Sequence, residues 1–211
     1  IAGILRGAGL DERALRLLSM YGYANVRNVC LLAASILTAD AALLIDDDEV
    51  FEMDDYVQRA MEFIGRRVYG DVVHGVAGYY LNSKNQYYDD VKPEPWMTYW
   101  DRFGSKGEAF DRIIGSGPRL KRTPFAFGGA MTLHRELFEC VPFDPLVPRG
   151  EDVDYVINGR MFGFSFFPYT LIVIALFGIS LPQYLICYLL NDPIQKNIIS
   201  PWERMQAQKE T

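Results

Sequence analysis

Asp46, Asp47 and Asp48 stand side by side at the end of an apolar run, in "LLIDDDEVF". Like charges at this spacing repel, and in a low-dielectric setting each raises the pKa of its neighbours. Water, a basic partner or a bound cation must offset the repulsion. Asp46 and Asp48, at i and i+2, present the oxygen donors that a hard divalent cation takes, and the charge of such an ion cancels theirs. A second acidic cluster, Glu151, Asp152 and Asp154 in "GEDVD", follows much later in the chain. It lies at what reads as a loop-to-helix joint. The plainer alternative is that an Asp run after a strand is a solvated turn capping the next helix. Two observations favour a site. The first run ends a buried strand, where open α/β sheets bind ligands, and the clusters come as a pair.

These groups need elements to hold them. The run "AALLI", 41–45, is too short for a helix and reads as a buried strand. Before it, 11–21 and 29–37 carry helical patterns, with "GYANVRN" as a loop between them. After it, 53–67 reads as a helix with acidic residues first and Arg66 and Arg67 last, as the helix dipole prefers. Residues 71–81 read as a strand. Residues 82–123, rich in Pro, Gly and aromatics, read as a lid with a short helix near 107–114. In that segment Trp96 and Trp100 suit stacking on a sugar or core packing, and Arg119, Lys121 and Arg122 suit a solvated face or a diphosphate. Residues 124–141 read as strand, glycine pair, strand and helix, and 142–164 as a loop that opens a helix at the acidic cluster. The alternation predicts an α/β sandwich.

The run 169–190 has no charged residue and matches the span of a ~30 Å hydrocarbon core. Pro182, Gln183 and Gly178 argue instead for two apolar pieces packed on the sheet. Residues 191–211 are polar. The chain has 211 residues, 50% of them hydrophobic, and a net charge of −6. A core of fair size is expected and global disorder is not. A general nucleic-acid binder, which needs a basic footprint, is excluded. Cys30, Cys140 and Cys187 are dispersed and suit neither a zinc pair nor a disulfide framework, which favours a reducing compartment. His74 reads as half-buried scaffolding and His134 as a helix-start residue, while Arg149 reads equally as a phosphate ligand or a partner of Glu151.

Taken in order, Arg27–Asn28, the apolar run ending in "DDD", the Gly128–Gly129 pair and "GED" resemble a GT-A type glycosyltransferase, close to family 2, over roughly residues 22–167. The resemblance implies a GT-A-like, Rossmann-like mixed sheet flanked by helices, as a partial domain over 1–168 with its N-terminal nucleotide-binding unit incomplete. It implies metal-dependent sugar transfer from a nucleotide-diphosphate donor to a saccharide or lipid-linked acceptor. Asp46 and Asp48 would hold Mn²⁺ or Mg²⁺, with Asp46 also touching the nucleotide. Arg27 and Asn28 would face the nucleotide, Gly128 and Gly129 the donor sugar, and Glu151 and Asp152 would form the catalytic element with Asp152 as base. A donor of this kind places the domain in the cytoplasm, at the inner face of the membrane if 169–190 is a membrane helix. The chain departs from the family in the short stretch before the Asp run, which suggests a fragment, and in having no His after Asp152. Two rivals stay open. One is a haloacid-dehalogenase-like phosphohydrolase using Asp46 as nucleophile and Asp48 as acid/base. The other is a non-catalytic, membrane-associated remnant of a glycosyltransferase.

Overall fold

The computed structural model describes residues 6–7, 9, 11–46, 49–51, 53–81, 94–95, 97, 118–121, 128–176 and 186–190. Asp47, Asp48, Trp96, Trp100, Arg122, most of the expected lid and the polar tail lie outside them.

Helix α1, Glu12–Arg16, is shorter than its pattern predicts. Helix α2, Tyr23–Ile36, is longer: it takes in most of "GYANVRN", so Arg27 and Asn28 sit on a helix and not on a loop. The helix begins directly after Gly22, whose φ of 83° an L side chain would resist. Strand β1, Ala41–Ile45, is buried on both faces, as its unbroken apolar run predicts. Strand β2 is Glu49–Phe51 and helix α3 is Tyr56–Met61. Arg66 and Arg67, expected to end that helix, instead enter a hairpin of β3, Arg67–Val68, and β4, Asp71–Val72. Strand β5 is Gly75–Leu81. A 3₁₀ turn at Gly128–Ala130 leads into β6, Met131–His134, and helix α4, Arg135–Phe138. Helix α5 is Glu151–Met161, opening at the acidic cluster as expected.

Strand β7, Phe166–Leu176, and strand β8, Ile186–Leu190, correct the reading of 169–190 as a membrane helix. The described parts of that run are strands, and among the described residues no helix is long and apolar enough to cross a membrane. The reason is local composition: "FFPYTLIVIAL" is rich in β-branched and aromatic residues. An uninterrupted apolar run is also what a strand between two neighbours requires.

The sheet runs β2-β7-β5-β6-β1-β8. It is mixed: β5 and β7 pair in parallel, and the other neighbours are antiparallel. Its four central strands, β7-β5-β6-β1, separate two apolar layers. Ala42 and Leu44 of β1, Ala77 of β5 and Phe166 of β7 turn to one face, under α2, α4 and α5. The alternate residues Leu43, Ile45, Val76 and Phe167 turn to the other, against Tyr56 and Ala60 of α3. Period-two alternation thus fills a layer of helices on each side of the sheet. The arrangement brings the end of β1, the 3₁₀ turn before β6 and the start of α5 together.

Candidate active site

Asp46 follows the last residue of β1, and its main-chain N–H donates to Glu49 Oε2 at 2.9 Å. Arg27, 3% exposed, reaches across from α2. Its Nη2 donates to Asp46 Oδ1 at 3.3 Å, and its Nη1 is ion-paired with Glu151. Burial works to lower the guanidinium's pKa, but Asp46 and Glu151 outweigh it and hold the group above its ordinary value. Arg27 also lies over the Phe143 ring, 5.6 Å from its centroid. Phe143 stacks in turn on Tyr155, with centroids 4.0 Å apart.

The glycine pair closes the other side. Gly128 N–H donates to Asp152 Oδ2 at 3.1 Å, and Gly129 N–H donates to Tyr80 Oη at 2.7 Å. A Cβ at Gly128 would run into the Arg27 guanidinium, and one at Gly129 into the carboxylates of Glu49 and Asp46. These two positions need glycine for space. Asp152 and Glu151 sit in the first turn of α5 but turn different ways. Glu151 is buried against Arg27, while Asp152 is half-buried, accepting also from Val153 N–H at 2.8 Å.

The result is a cleft of about 600 Å³ lined by Arg27, Asp46, Gly128, Glu151 and Asp152, together with Tyr23, Tyr80 and the loop 148–150. Sequence reasoning singled out the first five, and the structure brings them together. Gly129 lies against Asp46 just behind them. Asn28 is not among them. Its side-chain amide donates to Phe143 O at 2.9 Å and accepts from Phe143 N–H at 2.8 Å. Asn28 therefore clamps the ring on which Arg27 rests, and both of its polar ends are spent on main chain and not on a ligand. Arg149 lines the cleft and does not pair with Glu151, whose carboxylate goes to Arg27. Arg119 is ion-paired with Glu62 and lies over Phe63, and it does not line the cleft.

Tyr80 was missed. It ends a strand of small and aromatic residues, "GVAGYYL", and nothing in that run marks one tyrosine over its neighbour. Desolvation, then the charges of Glu49 and Asp46, push its phenol well above the ordinary value, so it stays protonated. Glu49 was also passed over, although it stands three residues after Asp46 and its carboxylate accepts the Asp46 N–H. His74 and His134 are scaffold, as expected. His134 caps α4 by accepting from Glu136 N–H at 3.4 Å, and His74 accepts from Ser165 N–H at 3.2 Å.

Hard-oxygen donors for a divalent ion are present at Asp46 and Glu49, whose carboxylates both pack against Gly129. Asp48, the second expected metal ligand, lies outside the described residues, among which no group of three His, Cys, Asp or Glu side chains could hold a metal. Compared with known proteins, the chain matches no family model, no curated protein and no solved structure.

Proposed function

We propose that the chain transfers a sugar from a nucleotide-diphosphate donor to an acceptor hydroxyl, on a sheet of the GT-A type and with Mn²⁺ or Mg²⁺ at the Asp46 end of the cleft. One observation carries this reading. Arg27, Asp46, Gly128, Glu151 and Asp152 come from four separate stretches of chain and line a single cleft. In the transfer, a bond forms between the acceptor oxygen and the glycosidic carbon as the bond to the diphosphate oxygen breaks. A divalent ion, when bound, supplies Lewis-acid stabilisation of the departing diphosphate.

The chain's own groups do the rest. Asp152 takes the acceptor's proton on its carboxylate, which Gly128 N–H holds in place at 3.1 Å. Gly128 and Gly129 let Arg27, Asp46 and Glu49 pack close against the main chain at the cleft, since a Cβ at either would collide with those side chains. Arg27 braces Asp46, and Glu151 balances Arg27, so Glu151 is a positioning residue and not a second base. A donor of this class is drawn from the cytosolic pool, and the acceptor is a saccharide or a lipid-linked sugar.

The test is release of nucleoside diphosphate from a panel of nucleotide sugars with Mn²⁺, by the parent and by Asp46→Asn. The parent should turn over at least one donor and the variant should lose most of that rate. Absence of release and binding for every donor, or turnover of p-nitrophenyl phosphate in its place, would sink the reading.

A further inference from the structure

We infer that Arg149 grips a phosphate group of the cleft's ligand, a contact that its guanidinium makes directly and not through a divalent metal. The inference rests on the functional reading above and adds to it a residue and a mode of binding.

The charges around the cleft carry the argument. Asp46 and Glu151 both engage Arg27. Asp152 accepts from the N–H groups of Gly128 and Val153. Asp154, also in the first turn of α5, accepts from the Asn158 side chain at 2.8 Å. The guanidinium of Arg27 is therefore already matched to two carboxylates. Arg149 is exposed, lines the same cleft, and among the described residues is its one cation without an ion-pair or hydrogen-bond partner.

The sequence offers Arg149 two partners equally, a phosphate or Glu151 two positions on. Between Arg149 and Glu151, Gly150 takes φ 81° and ψ 24°, a left-handed turn. Beyond that turn Glu151 is buried against Arg27, while Arg149 stays on the cleft's surface. An anion entering beside Asp46, Glu151 and Asp152 meets three carboxylates against the one charge of Arg27, so a second cation at the cleft favours its binding. A guanidinium fork suits the tetrahedral oxygens of phosphate, which it binds through two parallel N–H bonds. The cleft volume of about 600 Å³ is in the range of small-molecule sites.

The experiment is calorimetric titration of the full chain, using pyrophosphate in EDTA, pyrophosphate with Mn²⁺, and malonate in EDTA, for the parent, Arg149→Ala and Arg149→Lys. The parent should bind pyrophosphate in EDTA, more weakly as salt rises. Arg149→Ala should bind about ten- to a hundred-fold more weakly, the range expected for a lost charged hydrogen-bonded contact. Arg149→Lys should recover part of the loss, because it keeps the charge and lacks the fork. Both variants should melt at the parent's temperature, since Arg149 has no partner to lose among the described residues. Equal pyrophosphate affinity in the parent and Arg149→Ala overturns the inference, as does a parent that ignores pyrophosphate in EDTA or binds malonate as well. The two readings fail separately. Sugar transfer with unchanged affinity in Arg149→Ala removes Arg149 alone. Arg149-dependent pyrophosphate binding without transfer from any donor removes the transferase reading and leaves the phosphate grip standing.

Discussion

Replacing Arg27 with Met keeps a long apolar stem and removes the charge between Asp46 and Glu151. Asp46 lies at the cleft and can turn toward water. Glu151 cannot do so easily: its side chain is 9% exposed and its ion pair is with Arg27. The cost is thus the penalty of a buried carboxylate left without its counter-ion, about 3–5 kcal/mol. Against a total stability of roughly 5–15 kcal/mol for a domain, that is a large share. At about 2–4 °C per kcal/mol for a chain of this length, the melting temperature should fall by roughly 6–20 °C. The assay is thermal and urea unfolding of the parent, Arg27→Met, Glu151→Gln and the double variant. Glu151→Gln in the Arg27→Met background removes the stranded charge, so the double variant should be more stable than Arg27→Met alone. Two results refute the reasoning: a loss below about 1 kcal/mol in Arg27→Met, the scale of an exposed pair, or a double variant no more stable than the single one.

Gly129→Ala places a methyl group against the Asp46 and Glu49 carboxylates; donor and Mn²⁺ binding should drop sharply in calorimetry while far-ultraviolet circular dichroism stays that of the parent. Asp152→Asn should lower turnover by about 10²–10⁴ with donor affinity nearly unchanged, because the group acts on the acceptor's proton; near-parental turnover in a steady-state assay removes Asp152 as the base. His134 is held below its ordinary imidazole value by burial and by His74 and Arg135, with Glu136 and Asp40 opposing. The unfolded chain therefore binds more protons between that depressed value and about 6.5, so this contribution to stability is full above that range and falls as pH drops through it. Urea midpoints from pH 8 to pH 5 should show the fall, and His134→Asn, which keeps a capping side chain, should flatten it.

Different parts of the molecule were legible for different reasons. The strand Ala41–Ile45 was plain because five apolar residues meet a charge run, and α5 because the acidic residues of "GEDVD" suit a helix N-terminus. The cleft followed from those two, since both clusters lie at the ends of elements. "GYANVRN" misled because a glycine and polar residues look like a loop. Here the glycine's positive φ starts the helix, and Arg27 and Asn28 are buried by distant partners, Glu151 and Phe143, that no local pattern announces. The apolar run after Phe166 fits both a spanning helix and two pieces on the sheet, because hydropathy alone does not separate a spanning helix from a strand flanked on both sides. Only pairing with β5 and β2 decides it. Tyr80 and Glu49 gain their importance from the approach of Gly129 and Asp46, which is tertiary and left no mark on spacing.

The central claim, that this cleft takes a nucleotide-sugar donor, is tested most directly by amide hydrogen exchange of the full chain with and without a nucleotide sugar and Mn²⁺. The account predicts slower exchange in peptides covering 41–51, 128–134 and 148–156, where Asp46, the glycine N–H groups and the start of α5 line or border the cleft. It predicts no change at the groove between Leu17 and Phe138 on the other side of Asn28. Protection confined to that groove, or none anywhere with a panel of donors at millimolar concentration, would contradict it.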